Sequence, residues 1–211
     1  MIGIYDYTVI LTYLSVCSTV AGIFFAFKEH SFLAIICLML SGLFDMFDGR
    51  VARTKKRTQQ EINYGIQIDS LADVLAFGVL PVCIGYSVGM DEWYYLPIFF
   101  MFVLGALIRL AHFNVNEEEV AKTAKGRSTS FIGLPTTSVA LLLPFIYSIK
   151  SLCANTFEYV YAGTLLIISL LFVLKRNFVK KPDNKKMYLF ILVGALEIVI
   201  IVGIRLWLKS R

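Results

Sequence analysis

The sequence predicts an all-α fold, a polytopic bundle of about six to seven transmembrane helices that forms a single domain over residues 1–211. Two observations support this fold class. Hydrophobic residues make up 58% of the chain and the mean hydropathy is +0.73, both higher than in ordinary soluble domains. The apolar residues also fall in long runs of the length that crosses a bilayer, about 17 to 25 residues.

Seven apolar segments are candidate spans. In chain order they are residues 7–27, 31–52, 66–89, 93–113, 133–150, 157–175 and 187–208. The connections between them are short and no internal repeat divides the chain, so one integral membrane domain is the simplest organisation. The helices predicted over 157–208 form its C-terminal part.

Basic residues are concentrated in alternate connections. They are Lys55, Lys56 and Arg57; Lys122, Lys125 and Arg127; and Lys175, Arg176, Lys180, Lys181, Lys185 and Lys186. Because cytoplasmic loops carry the excess of lysine and arginine, residues 54–64, 114–132 and 176–186 are predicted to be cytoplasmic, together with the N-terminus. The chain is therefore expected to be a multi-pass protein of the cell membrane. Its net charge of +5 reflects this topology and attraction to anionic lipid, and nucleic acid is not an expected partner.

Four aspartates interrupt the apolar segments: Asp45, Asp48, Asp69 and Asp73. Four charged side chains facing hydrocarbon would cost on the order of 10 kcal/mol, so a compensating partner is expected. Helical spacing places the first two on one stripe and the last two on another. If the two helices are antiparallel neighbours, the stripes converge near the cytoplasmic boundary. Clustered carboxylates suit hard divalent ions such as Mg²⁺ or Mn²⁺ and indicate phosphate chemistry.

Small residues share the acidic faces. Gly49 and Ala52 follow Asp48 on its stripe, and Gly65 precedes Asp69 by one turn. These positions allow close approach of a phosphorylated ligand to the backbone. Arg53, at the cytoplasmic end of the same helix, can bind a phosphate through its planar guanidinium.

These residues form a motif that resembles the signature of the CDP-alcohol phosphatidyltransferases. The signature D-x2-D-G-x2-A-R, a spacer and G-x3-D-x3-D is matched between residues 45 and 73. The matching residues are Asp45, Asp48, Gly49, Ala52, Arg53, Gly65, Asp69 and Asp73. Thr12 is the position that survives from a second family motif near the N-terminus.

The resemblance implies a chemistry and a set of roles. Family members transfer a phosphatidyl group from a CDP-linked donor to an alcohol and release CMP. Two divalent ions, Mg²⁺ or Mn²⁺, would be held by the four aspartates, with Asp45 and Asp69 bridging them, Asp48 completing one site and Asp73 the other. Asp73 would also be the general base. Gly49, Ala52, Arg53, Gly65 and Thr12 would contact CDP, and a homodimer is among the assemblies that the resemblance implies.

The segments that follow the last aspartate are similar to the branch of the family that uses serine. They read DSLADVLAFGVLP at 69–81, RLAHFNV at 109–115 and FIGLPTT at 131–137. The expected substrates are therefore CDP-diacylglycerol and L-serine, with phosphatidylserine and CMP as products. Arg109, Asn114, Arg127 and Thr136 are the candidates for binding serine, because cationic and hydroxyl donors suit its carboxylate.

Other functions stay open at the level of sequence. The same chemistry could use glycerol 3-phosphate or inositol phosphate as acceptor, or an archaeal lipid as donor. A divalent-cation transporter would also place acids in spanning helices. Its acids would be distributed along a transmembrane path, however, whereas here they cluster at one edge.

Overall fold

The structure, a computed structural model, describes residues 3–122, 130–132, 134–153, 156–174, 177–180, 192–199 and 201–203. Its labelled helices are α1 Tyr7–Phe27, α2 Ser31–Val51, α3 Gln59–Asp73, α4 Leu80–Ser87, α5 Leu96–Lys122, α6 Val139–Ser148, α7 Lys150–Cys153 and α8 Phe157–Val173. The 3₁₀ turns Ala52–Thr54, Trp93–Tyr95 and Thr136–Ser138 and a π-helical turn, Val74–Val79, join some of them. Residues 192–199 and 201–203 are also helical.

The predicted all-helical, polytopic membrane fold is confirmed. Four described segments are long and apolar enough to span a membrane, namely Tyr7–Phe27, Ser31–Thr54, Gln59–Ser87 and Trp93–Asn116. Shorter apolar helices follow at Thr136–Ser148, Phe157–Val173 and Leu192–Gly203. The span expected over 133–150 is shorter than predicted. Pro135 precedes it in an extended conformation, and its helix ends at Ser148, before a turn leads into α7.

One two-stranded ladder departs from the purely helical prediction. Strand β1, Ser130–Ile132, pairs antiparallel with β2, Asn177–Lys180, and Phe131 lies opposite Val179. Aromatic and β-branched residues favour this conformation. The ladder joins the connection between α5 and α6 to the segment after α8, so both lie on one side of the bundle.

Helices α1 and α2 form an antiparallel hairpin with a polar seam. The Ser15 hydroxyl donates to the carbonyl of Ser41 at 3.3 Å, and the Thr19 and Ser41 hydroxyls lie 3.0 Å apart. At Gly22 a Cβ would lie 2.9 Å from the Cβ of Cys37, so the backbones approach too closely for a larger residue. Small residues and interhelical hydroxyls are typical of packing between membrane helices. The seam fixes the direction in which the end of α2 points.

Helix α3 begins earlier than the apolar pattern indicates. Thr58 is its N-cap and accepts from the backbone of Glu61, while the Glu61 carboxylate accepts from the backbone of Thr58 at 2.7 Å. This capping box starts the helix in the polar connection, several residues before the span predicted from 66. The first turns of α3 therefore extend beyond the apolar stretch.

The core packs α5 against α8 and the π turn. Phe77, Phe102 and Tyr161 are fully buried there. A Cβ at Gly105 would lie 3.1 Å from the backbone oxygen of Ser169, which allows α5 and α8 to approach closely. This packing holds α5 beside the helix that carries Asp69 and Asp73.

Candidate active site

The four aspartates lie together between α2 and α3, as the sequence predicts. Carboxylate oxygens of Asp45, Asp48 and Asp69 lie within 4.8 Å of one another. Across the helix pair, the Asp48 side chain contacts that of Asp69, and the Asp45 side chain contacts that of Asp73. This pairing is what an antiparallel hairpin produces when both acids on each helix share a face. Carboxylates this close repel one another unless a cation or a proton lies between them.

The donor set fits a divalent ion. It consists of hard carboxylate oxygens, which Mg²⁺ and Mn²⁺ prefer. Asp48 is 8% exposed, and the buried hydroxyl of Thr12 donates to its Oδ2 at 3.2 Å. Hydrogen bonds of this kind orient the carboxylates that bind metals. Thr12, expected to contact the nucleotide, thus lies against one of the acids.

Each glycine of the motif has a guanidinium beside it. The Arg53 Nε donates to the carbonyl of Gly49 at 2.7 Å. At Gly65, a Cβ would lie 3.2 Å from Nη1 of Arg57. Sequence reasoning assigned no ligand role to Arg57, because a residue in a basic connection has the same pattern as a topological signal. The two arginines and two glycines lie where the connection between α2 and α3 approaches the acids, with the half-buried Ala52 at the end of α2.

The helix changes its hydrogen-bonding register directly after Asp73. In the π turn Val74–Val79, the backbone N–H of Leu80 donates to the carbonyl of Leu75. Pro81 has no N–H to continue the α-helical pattern. Single π turns in helices are frequent at functional sites. The sequence pattern did not predict this turn, because apolar periodicity barely differs between an α-helix and one π turn.

Arg109 lies on α5 and is almost fully buried, with 6% of its surface exposed. Its Nε donates to the carbonyl of Leu134 at 3.1 Å, and its guanidinium lies 5.7 Å from the ring centre of Phe113. Among the described residues, no carboxylate forms an ion pair with it. A buried guanidinium with these neutral partners is suited to an anionic ligand.

The other predicted acceptor residues differ in their placement. The Asn114 side chain is hydrogen-bonded to Ser70 of α3, with its Nδ2 at 2.8 Å from the Ser70 Oγ. Thr136 is buried at the start of a 3₁₀ turn, two residues after Leu134. Arg127 lies outside the described residues. Ser70 was missed because a serine in a helix has no distinguishing sequence pattern.

Comparison with known proteins identifies the class. The family model of the CDP-alcohol phosphatidyltransferases matches residues 8–175. This match covers most of the chain and includes the four aspartates, both glycines and Arg109. The chain belongs to the CDP-alcohol phosphatidyltransferase family, as the sequence motif predicts.

Three curated proteins of this kind are similar in sequence to the chain. The chain is 39% identical over 115 residues to the CDP-diacylglycerol–serine O-phosphatidyltransferase of Saccharomyces cerevisiae, covering 54% of this chain and 41% of that protein. It is 32% identical over 184 residues to the protein of the same name from Helicobacter pylori J99, covering 82% and 72%. It is also 35% identical over 116 residues to the archaetidylserine synthase of Methanothermobacter thermautotrophicus, covering 54% and 46%. The chain thus spans less than half the length of the yeast and archaeal relatives and about seven tenths of the bacterial one.

Proposed function

We propose that this chain transfers the phosphatidyl group of CDP-diacylglycerol to the hydroxyl of L-serine, giving phosphatidylserine and CMP. The observation behind the proposal is the convergence of four carboxylates from two adjacent helices beside glycines and arginines: three share one cluster, and Asp73 contacts Asp45 of that cluster. Family membership and the names of the three relatives support the same chemistry. The reaction joins a lipid donor to a soluble acceptor, which suits a site within membrane helices.

In the proposed reaction, the serine Oγ attacks the phosphorus that carries the diacylglycerol. The new P–O bond forms as the bond from that phosphorus to the CMP oxygen breaks, and CMP leaves with the electron pair. The Asp73 carboxylate accepts the serine hydroxyl proton, because the neutral hydroxyl is a weak nucleophile. A direct displacement needs no covalent intermediate on the protein.

The acidic cluster is proposed to hold two divalent ions, Mg²⁺ or Mn²⁺. Asp45 and Asp69 would bridge them, with Asp48 and Asp73 each completing one site. Bound ions would supply positive charge that stabilises the attacked phosphate and the departing CMP. The hydrogen bond that Thr12 donates to Oδ2 of Asp48 would orient this carboxylate toward an ion.

The donor is proposed to bind along the glycine-lined approach to the acids. Gly49 and Gly65 leave room for its diphosphate next to the backbone, beside Ala52. Arg53, already held on the carbonyl of Gly49, and Arg57, beside Gly65, can donate to phosphate oxygens. Thr12 would be the innermost nucleotide-side residue.

The acceptor is proposed to bind through its carboxylate to Arg109. The guanidinium is buried, and its Nε is anchored on Leu134, so its terminal nitrogens keep a fixed direction. Thr136 and Arg127 are the further candidates in the segment that follows. Ethanolamine has no carboxylate and is expected to be a poor acceptor.

The proposed setting is the cell membrane, with the N-terminus and the acidic cluster in the cytoplasm. The support is the distribution of lysine and arginine among the connections. A homodimer is among the assemblies that the family resemblance implies, and the mass of the purified protein in detergent would test it.

The test of function is CMP release by purified protein in liposomes that contain CDP-diacylglycerol. The acceptors are L-serine, ethanolamine, glycerol 3-phosphate and inositol phosphate, each with a titration of Mg²⁺ and of Mn²⁺. Serine-dependent release that requires a divalent ion is expected. If CMP release is faster with glycerol 3-phosphate or inositol phosphate, that alcohol and not serine is the acceptor. Metal uptake without CMP release would indicate a divalent-cation transporter.

A pair of matched variants shows whether the cluster performs the reaction. Asp69→Asn removes one charge from the cluster, and turnover is expected to fall by about 100-fold or more. Asp91→Asn makes the same change at an exposed position in the connection between α4 and α5, and it should leave turnover unchanged. Equal activity of both variants would contradict the assignment.

A further inference from the structure

Helices α3 and α5 are joined by a reciprocal pair of hydrogen bonds. Asn114 Nδ2 donates to the Ser70 Oγ at 2.8 Å, and the Ser70 Oγ lies 3.1 Å from Asn114 Oδ1, to which it can donate. Both side chains are half-buried. Ser70 directly follows Asp69 and precedes Asp73 by three residues. The contact is therefore within one helical turn of both acids.

The π turn that follows α3 also contacts α5. A Cβ at Gly78 of this turn would lie 3.5 Å from the Cβ of Ala106, so the turn and α5 are within van der Waals distance. The π turn interrupts the regular register, so α4 alone does not set the rotation of α3. Contacts with α5 thus flank Asp73 on both sides.

We propose that Ser70 and Asn114 are a pair of positioning residues, which hold α3 against α5 so that Asp73 faces an acceptor bound at Arg109. This inference rests on the proposed function, because it assigns Asp73 and Arg109 to the two ends of the acceptor. Arg109 and Asn114 are five residues apart on one helix, so fixing Asn114 to α3 also fixes the spacing between base and arginine. Asn114 acts through Ser70 in this arrangement, and it does not bind serine itself.

The two roles of Asn114 predict different kinetics. A positioning pair predicts that Ser70→Ala and Asn114→Ala each lower kcat roughly tenfold, because a small displacement of a reacting group is costly. The KM for CDP-diacylglycerol should stay within about twofold of the native value, because the substitutions leave the donor site unaltered. The double variant should be no worse than either single variant, since both remove the same interaction. Direct binding of serine would instead raise the serine KM in Asn114→Ala alone.

Rescue and control variants make the test specific. Ser70→Thr keeps the hydroxyl and should retain most of kcat. Ser87→Ala removes a hydroxyl that donates within its own helix to Ile84, at 2.8 Å, and should leave kcat unchanged. Additive losses in the double variant, or a native kcat in Ser70→Ala, would overturn the proposal.

Hydrogen exchange gives a readout that does not depend on turnover. Backbone amides of residues 66–79 should exchange faster in Ser70→Ala and Asn114→Ala than in the native protein, because α3 loses its support from α5. Unchanged exchange in both variants would contradict the positioning role. If the native protein releases no CMP with serine, the proposed function fails, and the exchange result still decides whether the pair holds α3.

Discussion

Asp73 differs from the other three aspartates in its surroundings. Its side chain contacts Asp45, and the chain enters the π turn at the next residue. Asp45, Asp48 and Asp69 have carboxylate oxygens within 4.8 Å of one another and could hold an ion. In the proposed reaction Asp73 would both hold an ion and accept a proton, whereas the other three would only hold ions.

The variant Asp73→Asn is expected to bind CDP-diacylglycerol and yet lose about 100-fold or more in turnover, because an amide cannot accept the serine proton. Donor binding and turnover are to be measured on the same purified protein. Asp73→Glu, which keeps a carboxylate but moves it, should be partly active. Near-native turnover of Asp73→Asn would show that another group takes the proton.

Alanine substitutions at Gly49 and Gly42 of α2 distinguish an effect on ligand binding from an effect on helix packing. A Cβ at Gly49 meets only Arg53 Nη2, at 3.7 Å, whereas a Cβ at Gly42 would lie 2.4 Å from the Cβ of Ala140 in α6. We therefore expect Gly49→Ala to keep or raise the Tm, since alanine favours helix by up to about 1 kcal/mol. Its KM for CDP-diacylglycerol should rise roughly tenfold, because the methyl group occupies the place of the donor.

The matched variant Gly42→Ala should lower the Tm and leave the KM for CDP-diacylglycerol unchanged. The overlap with Ala140 forces α2 and α6 apart, so the Tm should fall. Thermal unfolding in detergent and donor KM are the two measurements. A Gly49→Ala protein with an unchanged donor KM would count against a donor site over this glycine.

At the scale of helices, apolar run length and motif spacing predicted much of the fold and of the site. Helix α1 has the predicted bounds, and the two acidic stripes meet as their spacing requires. The sequence did not predict the early start of α3, because the capping box of Thr58 and Glu61 lies in polar residues outside the apolar run. Tertiary contacts such as Ser70 with Asn114 were also not predictable, since they depend on the rotation of each helix about its axis.

The ends of α1, α2 and α3 are linked through Lys55. Its ammonium group binds the carboxylate of Asp6, and it lies 3.2 Å from Glu61 Oε1. Asp6 is the N-cap of α1, and Glu61 closes the capping box of α3. Lys55, which lies in the segment between α2 and α3, thus ties this segment to the N-terminal ends of α1 and α3.

Replacing Lys55 with Met should lower kcat/KM for CDP-diacylglycerol severalfold at low salt, on the scale of exposed ion pairs. Because salt screens such pairs, the kcat/KM of the native protein should approach that of the variant at about 1 M salt. Its hydrogen bond to Asp6, above all, raises the pKa of Lys55, so the link is present below the ordinary lysine pKa and is lost only as pH rises through the higher folded value. The ratio of native to variant activity should accordingly stay constant from about pH 7 to 9.

Lys56→Met is the matched control, because Lys56 is the exposed neighbour in the same connection. It removes the same charge from the surface without breaking the link. Lys55→Arg should recover most of the activity. Equal losses in Lys55→Met and Lys56→Met would show that general surface charge, and not the link, affects the donor.

For the whole molecule, the ladder of β1 and β2 adds to the topology that the basic residues predict. Pairing of Ser130 with Lys180 brings two of the three basic connections together on one side of the bundle. The third basic connection, between α2 and α3, lies at the same end as the acidic cluster. Because all three connections are rich in lysine and arginine, this side is the one expected to face the cytoplasm.

Thiol labelling in intact cells tests that orientation. A membrane-impermeant maleimide should label Asp91→Cys, in the connection between α4 and α5, from outside. Lys56→Cys, between α2 and α3, should react only after the membrane is permeabilised, and the native protein gives the background from its own four cysteines. The orientation matters for the proposed reaction, because free serine and the CMP product are water-soluble and the acidic cluster is expected to open to the cytoplasm. Labelling of Lys56→Cys from outside would place the cluster on the opposite side and would be incompatible with a cytoplasmic supply of serine.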